Sequence, residues 1–133
     1  MKFQSILTIL LLLFTACNTD QENNILLLNK NQKLRLQEVY ALPDQSLQIQ
    51  IQRVEDSRCP AGVVCVWEGE ASVFLNVGMQ EIHELVLSTA RIPKDTVQNY
   101  EFELADVSPF PDISREISQE DYRVTLMVRH LNP

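Results

Sequence analysis

The sequence predicts an all-β domain, either an antiparallel β-sandwich (Ig-like) or a small barrel of about six or seven strands. The domain is expected to follow an N-terminal signal peptide and a short tether. Apolar and polar residues alternate with a period of two along most of the chain after residue 32, which is typical of half-buried strands. Turn-forming residues separate these stretches, and no long stretch has the helical period of about 3.6.

Six alternating stretches are predicted to form strands. They contain Leu34 and Leu36; Leu47, Ile49 and Ile51; residues 67–77; Leu85 and Leu87; Tyr100, Phe102 and Leu104; and Tyr122, Val124, Leu126 and Val128. Turns are predicted at 43–44, 60–62, 77–78, 93–95 and 109–112, where Pro, Gly and Asp concentrate. A helical turn with Ser118 as its cap is expected within 113–121.

The first residues have the pattern of an export signal. Lys2 precedes an apolar run over residues 6–14, and Thr15 and Ala16 close it. The run is shorter than the roughly 20 apolar residues that span a bilayer. The string 14–17, Phe-Thr-Ala-Cys, resembles the bacterial lipoprotein box, which implies cleavage before Cys17 and a diacylglyceryl group on its thiol. A plain secretory signal and a retained helix are the alternatives.

This interpretation divides the chain into three parts. Residues 1–16 form the lipoprotein signal peptide, 17–32 the lipidated N-terminus with a polar tether, and 33–133 the β-sandwich domain. The expected partner of Cys17 is therefore the membrane, and the expected location is the cell envelope, lipid-anchored at the outer membrane and facing the periplasm or the surface. The acidic stretch 20–22 resembles a surface-export tag, and a solvated spacer explains its composition equally well.

The charge balance argues against one class of partner. Cleavage would remove Lys2 and leave 10 basic residues against all 18 acidic residues. Binding to nucleic acid or to an anionic lipid surface requires clustered Lys and Arg. We therefore expect no nucleic-acid partner.

Cys59 and Cys65 are interpreted through the export signal. In an oxidising compartment two cysteines are expected to form a disulfide, whereas free thiols, a metal site or a redox site are the alternatives. The ring would contribute about 2–2.5 kcal/mol in the chain-entropy model. Their spacing differs from that of thioredoxin-like redox sites, and no second Cys or His pair completes a zinc site.

The residues around this pair form the most distinctive stretch of the chain. Pro60 is expected to turn the chain, and Asp56 and Arg58 to bond to each other or to loop backbone groups. If 65–77 is one strand, Trp67 shares a face with Cys65 and packs in the core beside the disulfide. Gly69 then leaves room for the indole ring or for a close backbone segment.

The stretch resembles a known family. Asp-Ser-Arg-Cys-Pro at 56–60, four further residues, and then Cys-Val-Trp-Glu-Gly-Glu-Ala at 65–71 is similar to the signature of small, uncharacterised bacterial secreted proteins and lipoproteins. Residues 109–111 and the strand from Tyr122 resemble the C-terminal half of that family, and Glu68 stands where an alanine is expected. The resemblance implies export and this fold, and it implies no activity.

The sequence offers little for catalysis, and we expect neither an enzyme nor a cofactor or metal. His83 and His130 lie in phase with apolar strand positions, which predicts partly buried structural roles. A two-histidine site would need Glu38 or Asp106 and neighbouring strands. Glu68 and Glu70 would share a strand face at the spacing of a carboxylate pair, an arrangement that polar outer faces produce often.

Binding is the remaining function. The sequence predicts a non-catalytic binding or accessory module of the cell envelope, with an unknown envelope protein or ligand at loops 56–64 and 107–120. A small disulfide-constrained protease inhibitor and a purely structural envelope lipoprotein are the alternatives. Exposed side chains at Ala61, Val63 and Val64 would favour docking, and inward-facing ones would make the loop a core element.

Overall fold

The computed structural model describes residues 24–132. Within this range the chain forms nine strands and one 3₁₀ turn. The strands are β1 Asn24–Ile25, β2 Gln32–Arg35, β3 Val39–Ala41, β4 Gln48–Asp56, β5 Ala71–Gly78, β6 Ile82–Ser88, β7 Lys94–Val97, β8 Tyr100–Ser108 and β9 Arg123–His130, and the 3₁₀ turn is Gln119–Asp121.

The strands form two sheets. The first has the order β1-β3-β4-β5-β6 and the second the order β2-β9-β8-β7. All pairings are antiparallel except β1 with β3. Within the described range the two sheets are separate and neither closes into a barrel. The predicted all-β fold is therefore confirmed as a sandwich.

The core lies between the two sheets. Alternate residues of β4, β5, β8 and β9 point inward, as the period of two predicts. A bulge shifts this alternation by one residue at 51–53 in β4 and at 104–106 in β8. The fully enclosed side chains include Ile49, Ile51, Leu75, Phe102 and Leu126. Burial of such side chains is the dominant stabilising contribution in a domain of this size.

Three strands were not anticipated from the sequence. β1 and β3 are two and three residues long, too short to show a periodicity. β7 begins at Lys94, inside the stretch predicted to be the 93–95 turn, and it pairs with β8. The stretch predicted as a strand from Trp67 starts its strand at Ala71.

The boundary predicted for the tether was wrong. Ile25 pairs with Ala41 in the first sheet, Leu26 is 1% exposed, and the Asn29 N–H donates to the Val128 carbonyl. The folded domain therefore includes residues from at least 24 onward. The predicted signal peptide, Cys17 and the acidic stretch 20–22 lie outside the described residues. No helix among residues 24–132 is long and apolar enough to cross a membrane.

Three connections leave the sandwich at the same end, because β4, β6 and β8 finish there and β5, β7 and β9 start there. They are loops 57–70, 89–93 and 109–122, which we call the loop end. The 3₁₀ turn lies in the last of these loops, and the Ser118 hydroxyl and N–H both donate to the Asp121 carboxylate. The predicted helical turn thus forms with Ser118 at its N-cap position, although the Ser118 hydroxyl donates to Asp121 and does not accept a backbone N–H.

Candidate functional site

The loop after β4 is closed by a disulfide. Cys59 and Cys65 are joined with their Cα atoms 5.9 Å apart, as the sequence predicted. The Val63 N–H donates to the Pro60 carbonyl, so the ring contains the expected turn. Because the Cys59 N–H donates to the Glu68 carbonyl, the two arms of the loop are also held together beside the ring.

An ion pair holds the first arm of this loop. The Arg58 guanidinium contacts the Asp56 carboxylate twice, with Nη2–Oδ2 at 2.6 Å and Nε–Oδ1 at 2.8 Å. It also donates to the carbonyls of Val107 at 2.7 Å and Pro109 at 3.0 Å, at the end of the facing sheet. Only 10% of the Arg58 and 5% of the Asp56 side chain is exposed. The pair therefore connects the two sheets.

The surroundings of this pair change two pKa values. Burial is the largest single influence on Asp56 and raises its pKa, but the hydrogen bonds and charge of Arg58 and the Tyr122 hydroxyl together lower the pKa below its ordinary value. Burial, and then the charge of Asp56, raises the pKa of Tyr122. Asp56 is therefore ionised and Tyr122 neutral at pH 7, and neither is a free acid or base.

Gly69 lies where two backbone segments meet. Its φ is +68°, and a Cβ placed there would be 1.8 Å from the Ser57 carbonyl oxygen. The Ser57 N–H and hydroxyl both donate to the Glu70 carbonyl at 2.9 Å. Of the two roles predicted for Gly69, the close backbone approach is the correct one.

Loop 57–70 is also tied to loop 109–122. The Ala61 N–H donates to the Pro111 carbonyl at 2.9 Å, and the Arg58 guanidinium lies 4.7 Å from the centre of the Phe110 ring. The side-chain amide of Gln119 reaches back to β4, where it accepts from the Val54 N–H at 2.9 Å and donates to the Val54 carbonyl at 2.8 Å. The loops thus form one connected surface.

Trp67 does not lie in the core, which corrects the sequence prediction. The segment between Asp56 and Ala71 leaves the sheet, so the alternation that would place Cys65 and Trp67 on one inward face does not apply. Trp67 is 78% exposed. The disulfide therefore holds a surface loop and does not pack against an indole ring.

The loop end instead displays a set of apolar side chains. Val64 and Val66 are almost fully exposed, at 101% and 92%, and Ala61 is exposed as well. We name the exposed set the apolar tip: Val63, Val64, Val66, Trp67, Phe110 and Ile113. Exposed apolar clusters on otherwise polar proteins typically mark interaction sites.

Glu70 and Arg91 form the second ion pair of the loop end. The Glu70 side chain is 8% exposed and the Arg91 side chain 82% exposed. Hydrogen bonds from the Arg91 side chain, and then from the Ser88 hydroxyl, lower the Glu70 pKa to about 2. Glu68 lies in the exposed loop, so the predicted carboxylate pair on one strand face does not form.

A shallow depression of about 430 Å³ opens between Trp67 and this ion pair, with Ser57 and Ala90 on its walls. It is the concave part of an otherwise protruding surface. Its lining combines one aromatic ring with charged and hydroxyl groups, which suits a side chain of a partner better than a buried ligand.

The two histidines lie apart. His83 is half-buried on β6 of the first sheet, and His130 is exposed at the end of β9 in the second sheet, packed edge-on against Tyr100. The strands do not neighbour each other, so the two-histidine site does not form. Among residues 24–132 no three His, Cys, Asp or Glu side chains are grouped to hold a metal ion.

No family model, no curated protein and no solved structure matches the chain. The resemblance of residues 56–71 to a family of small secreted proteins therefore stays a prediction. What defines the molecule is a β-sandwich with a disulfide-closed, apolar loop end.

Proposed function

We propose that the protein is a non-catalytic binding or accessory module of the bacterial cell envelope, anchored by acylated Cys17, which engages a protein partner through the apolar tip. The observation that carries this proposal is the exposure of Val64, Val66 and Trp67 on a loop whose base is fixed. Exposure at Ala61, Val63 and Val64 is the arrangement that favours docking over a core role.

The energetics support a binding role. Covering an exposed tryptophan of about 200 Å² contributes about 4–5 kcal/mol before the costs of association, and tryptophan is enriched among the residues that dominate interface energies. A loop held by a disulfide and by the Asp56–Arg58 pair has little freedom left to lose on docking. The tip is thus built as a preformed docking element.

The charges around the tip favour a protein partner over a bilayer. Segments 56–70, 89–92 and 109–121 contain three arginines and seven acidic residues. Arg58, Arg91 and Arg115 are each paired with a carboxylate of the loop end. This negative surface is repelled by anionic lipid and suits an apolar recess with basic residues at its rim.

A photoreactive amino acid at Val64 tests the proposal in cells that express the whole chain. We expect an adduct of one defined mass, which Trp67→Ala abolishes. The same amino acid at Gln80, in the exposed turn at the other end of the sandwich, is the matched control. Equal adducts at both positions, or adducts that survive Trp67→Ala, would contradict docking through the tip.

A small protease inhibitor is the second candidate, because Val64 is fully exposed inside a disulfide ring of sequence separation 6. A constrained protruding loop is a suitable shape for a protease cleft. The purified protein is then expected to inhibit one protease class at micromolar concentration, and Val64→Arg to shift inhibition toward proteases that prefer basic side chains. Unchanged activity of serine, cysteine, aspartic and metalloproteases would exclude this candidate.

Anchoring is tested separately. Mass spectrometry of the protein from membranes is expected to show cleavage before Cys17, acyl chains on that residue and no free thiol. Cys17→Ser is expected to abolish both acylation and cleavage, so that the chain keeps residues 1–16. A Cys17→Ser chain with the same mass and cleavage site as the wild type, apart from the substitution, would contradict lipid anchoring without touching the role of the tip. A purely structural lipoprotein is the third candidate, and such a role would not require an exposed tryptophan at position 67.

A further inference from the structure

We infer that β6 is a pairing edge, on which the β6 strand of a second copy of this chain adds antiparallel and joins the two first sheets across a two-fold axis. This inference is independent of the apolar tip, because β6 lies along the side of the sandwich. It rests on the hydrogen-bond pattern of β6, on a comparison of the sheet edges and on the residues that self-pairing brings together.

The hydrogen-bond pattern shows which backbone groups of β6 face outward. The Thr89 N–H donates to the Ala71 carbonyl at 3.0 Å, so the odd-numbered residues of this ladder bond to β5. The Ser88 N–H points the other way and donates to the Ile92 carbonyl at 2.7 Å. By the alternation of an antiparallel ladder, N–H and C=O of Ile82, Glu84 and Val86 also point to the open edge.

The other three terminal strands of the two sheets in residues 24–132 are protected against such pairing. β1 has two residues, and β2 and β7 have four each. β2 carries Lys33 and Arg35, and β7 starts with Lys94 directly after Pro93. Short length, lysine and proline are the usual means by which proteins block sheet edges.

β6 shows none of these devices. It has seven residues, no lysine or proline, and an uninterrupted register with β5. Ile82 is 56% exposed and Val86 half-buried on its outer face. A long, regular edge with apolar side chains is a template for a further strand.

A second copy fits this edge with its charges kept apart. In the register centred on Leu85, Glu84 lies opposite Val86 of the second copy, and Ile82 lies opposite Ser88 of the second copy. The central Glu84–Val86 pairs exchange four backbone hydrogen bonds. The alternative register centred on Glu84 places two carboxylates directly opposite each other, which is destabilising.

The expected dimer is weak in solution and sensitive to salt. A strand pair of seven residues buries less than the roughly 1,200 Å² of a stable interface. The full sequence has a net charge of −7, and cleavage before Cys17 would remove one more basic residue, so added salt is expected to strengthen association by screening the repulsion. Confinement of the copies to one membrane would raise their effective concentration.

Cysteine cross-linking in cells that express the whole chain tests the inference. Cα atoms of a hydrogen-bonded antiparallel pair lie about 5.5 Å apart, within disulfide reach. The double variant Glu84→Cys/Val86→Cys is expected to become a covalent dimer on mild oxidation. Lys33→Cys/Arg35→Cys on β2 and Glu84→Cys alone are expected to remain monomeric. Equal dimer yields in the double variant and either control would overturn the inference.

A second measurement does not depend on new thiols. The mass of the detergent-solubilised whole chain is expected to rise from one copy toward two with concentration. Glu84→Pro removes the outward N–H of residue 84 in both copies, and edge strands tolerate proline at such a position. This variant should therefore abolish the rise in mass with concentration. Glu84→Thr keeps the donor and should retain the rise. A wild-type chain of constant single-copy mass, or equal behaviour of the two variants, would also overturn the inference.

Discussion

The guanidinium of Arg58 lies on the carboxylate of Asp56, two residues earlier in the chain, and both groups are almost enclosed by the protein. The contact lies at the end of β4 in the first sheet. There Arg58 also reaches the carbonyls of Val107 and Pro109, at the end of β8 in the second sheet. The two residues therefore join the sheets at the base of the apolar tip.

Arg58→Met is expected to destabilise the fold by about 3–5 kcal/mol, because it leaves the Asp56 carboxylate buried without its cation and two carbonyls without donors. The midpoint of urea unfolding measures this loss. Arg115→Met is the matched control, because its pair with Asp121 is exposed at 3.7 Å and contributes at most about 1 kcal/mol. Similar midpoints for the two variants would show that the enclosed pair has no special role.

Gly69→Ala is expected to destabilise the protein by about 3 kcal/mol or more, since the new Cβ would collide with the Ser57 carbonyl and φ is unfavourable for alanine. Gly62→Ala is the control: its φ is also positive, at +92°, but its new Cβ meets the movable end of Ile113 at 3.2 Å. We expect about 1–2 kcal/mol there. Thermal unfolding distinguishes the two, and a larger loss for Gly62→Ala would contradict the contact at Ser57.

Acid is expected to weaken the protein through Glu70. Its pKa is about 2 in the folded state against 4.5 for an ordinary glutamate, so its contribution to stability is complete above pH 4.5 and is lost as pH falls toward 2. Glu70→Gln should flatten the dependence of the melting temperature on pH in this window. Glu68→Gln, at an exposed position of the same loop, is the matched control. If Glu70→Gln leaves the slope of melting temperature against pH unchanged, the ion pair with Arg91 is not the cause of the acid sensitivity.

Trp67 is the single tryptophan of the chain, which makes its environment measurable. Because the residue is 78% exposed, its fluorescence is expected to be quenched readily by acrylamide in the folded state. Trp67→Ala should change stability by no more than about 0.5 kcal/mol, whereas a core tryptophan would cost about 3–5 kcal/mol. Protection from acrylamide together with a large loss of stability would restore the core interpretation.

The fold class was predictable because burial of one face imposes the period of two, which the sequence shows around β2, β4, β5, β6, β8 and β9. Strands β1 and β3 were not predictable, since two and three residues cannot show a period. β7 was not predictable either, because three exposed residues precede Val97, its one buried residue. Leu26 lay in a stretch whose start is polar, so its burial was hidden as well.

The candidate site, too, could be predicted from the sequence only in part. The disulfide was predicted from the sequence. The Asp56–Arg58 contact and the close backbone approach at Gly69 were each one of the alternatives that local chemistry allowed. The position of Trp67 was wrong, because the alternation was extended past Asp56, where the chain had already left the sheet. Arg91, 21 residues beyond Glu70, had no signal in the sequence.

The amide of Gln119 has a consequence for the motion of β4. Beyond its short pairing with β3, this strand has no neighbouring strand on that side in residues 24–132, yet both backbone groups of Val54 are bonded to one side chain. The Val54 amide proton should therefore exchange with deuterated water slowly. Gln119→Ala should speed that exchange and leave the interior of β5 protected. A single side chain thus keeps an otherwise open strand end from fraying.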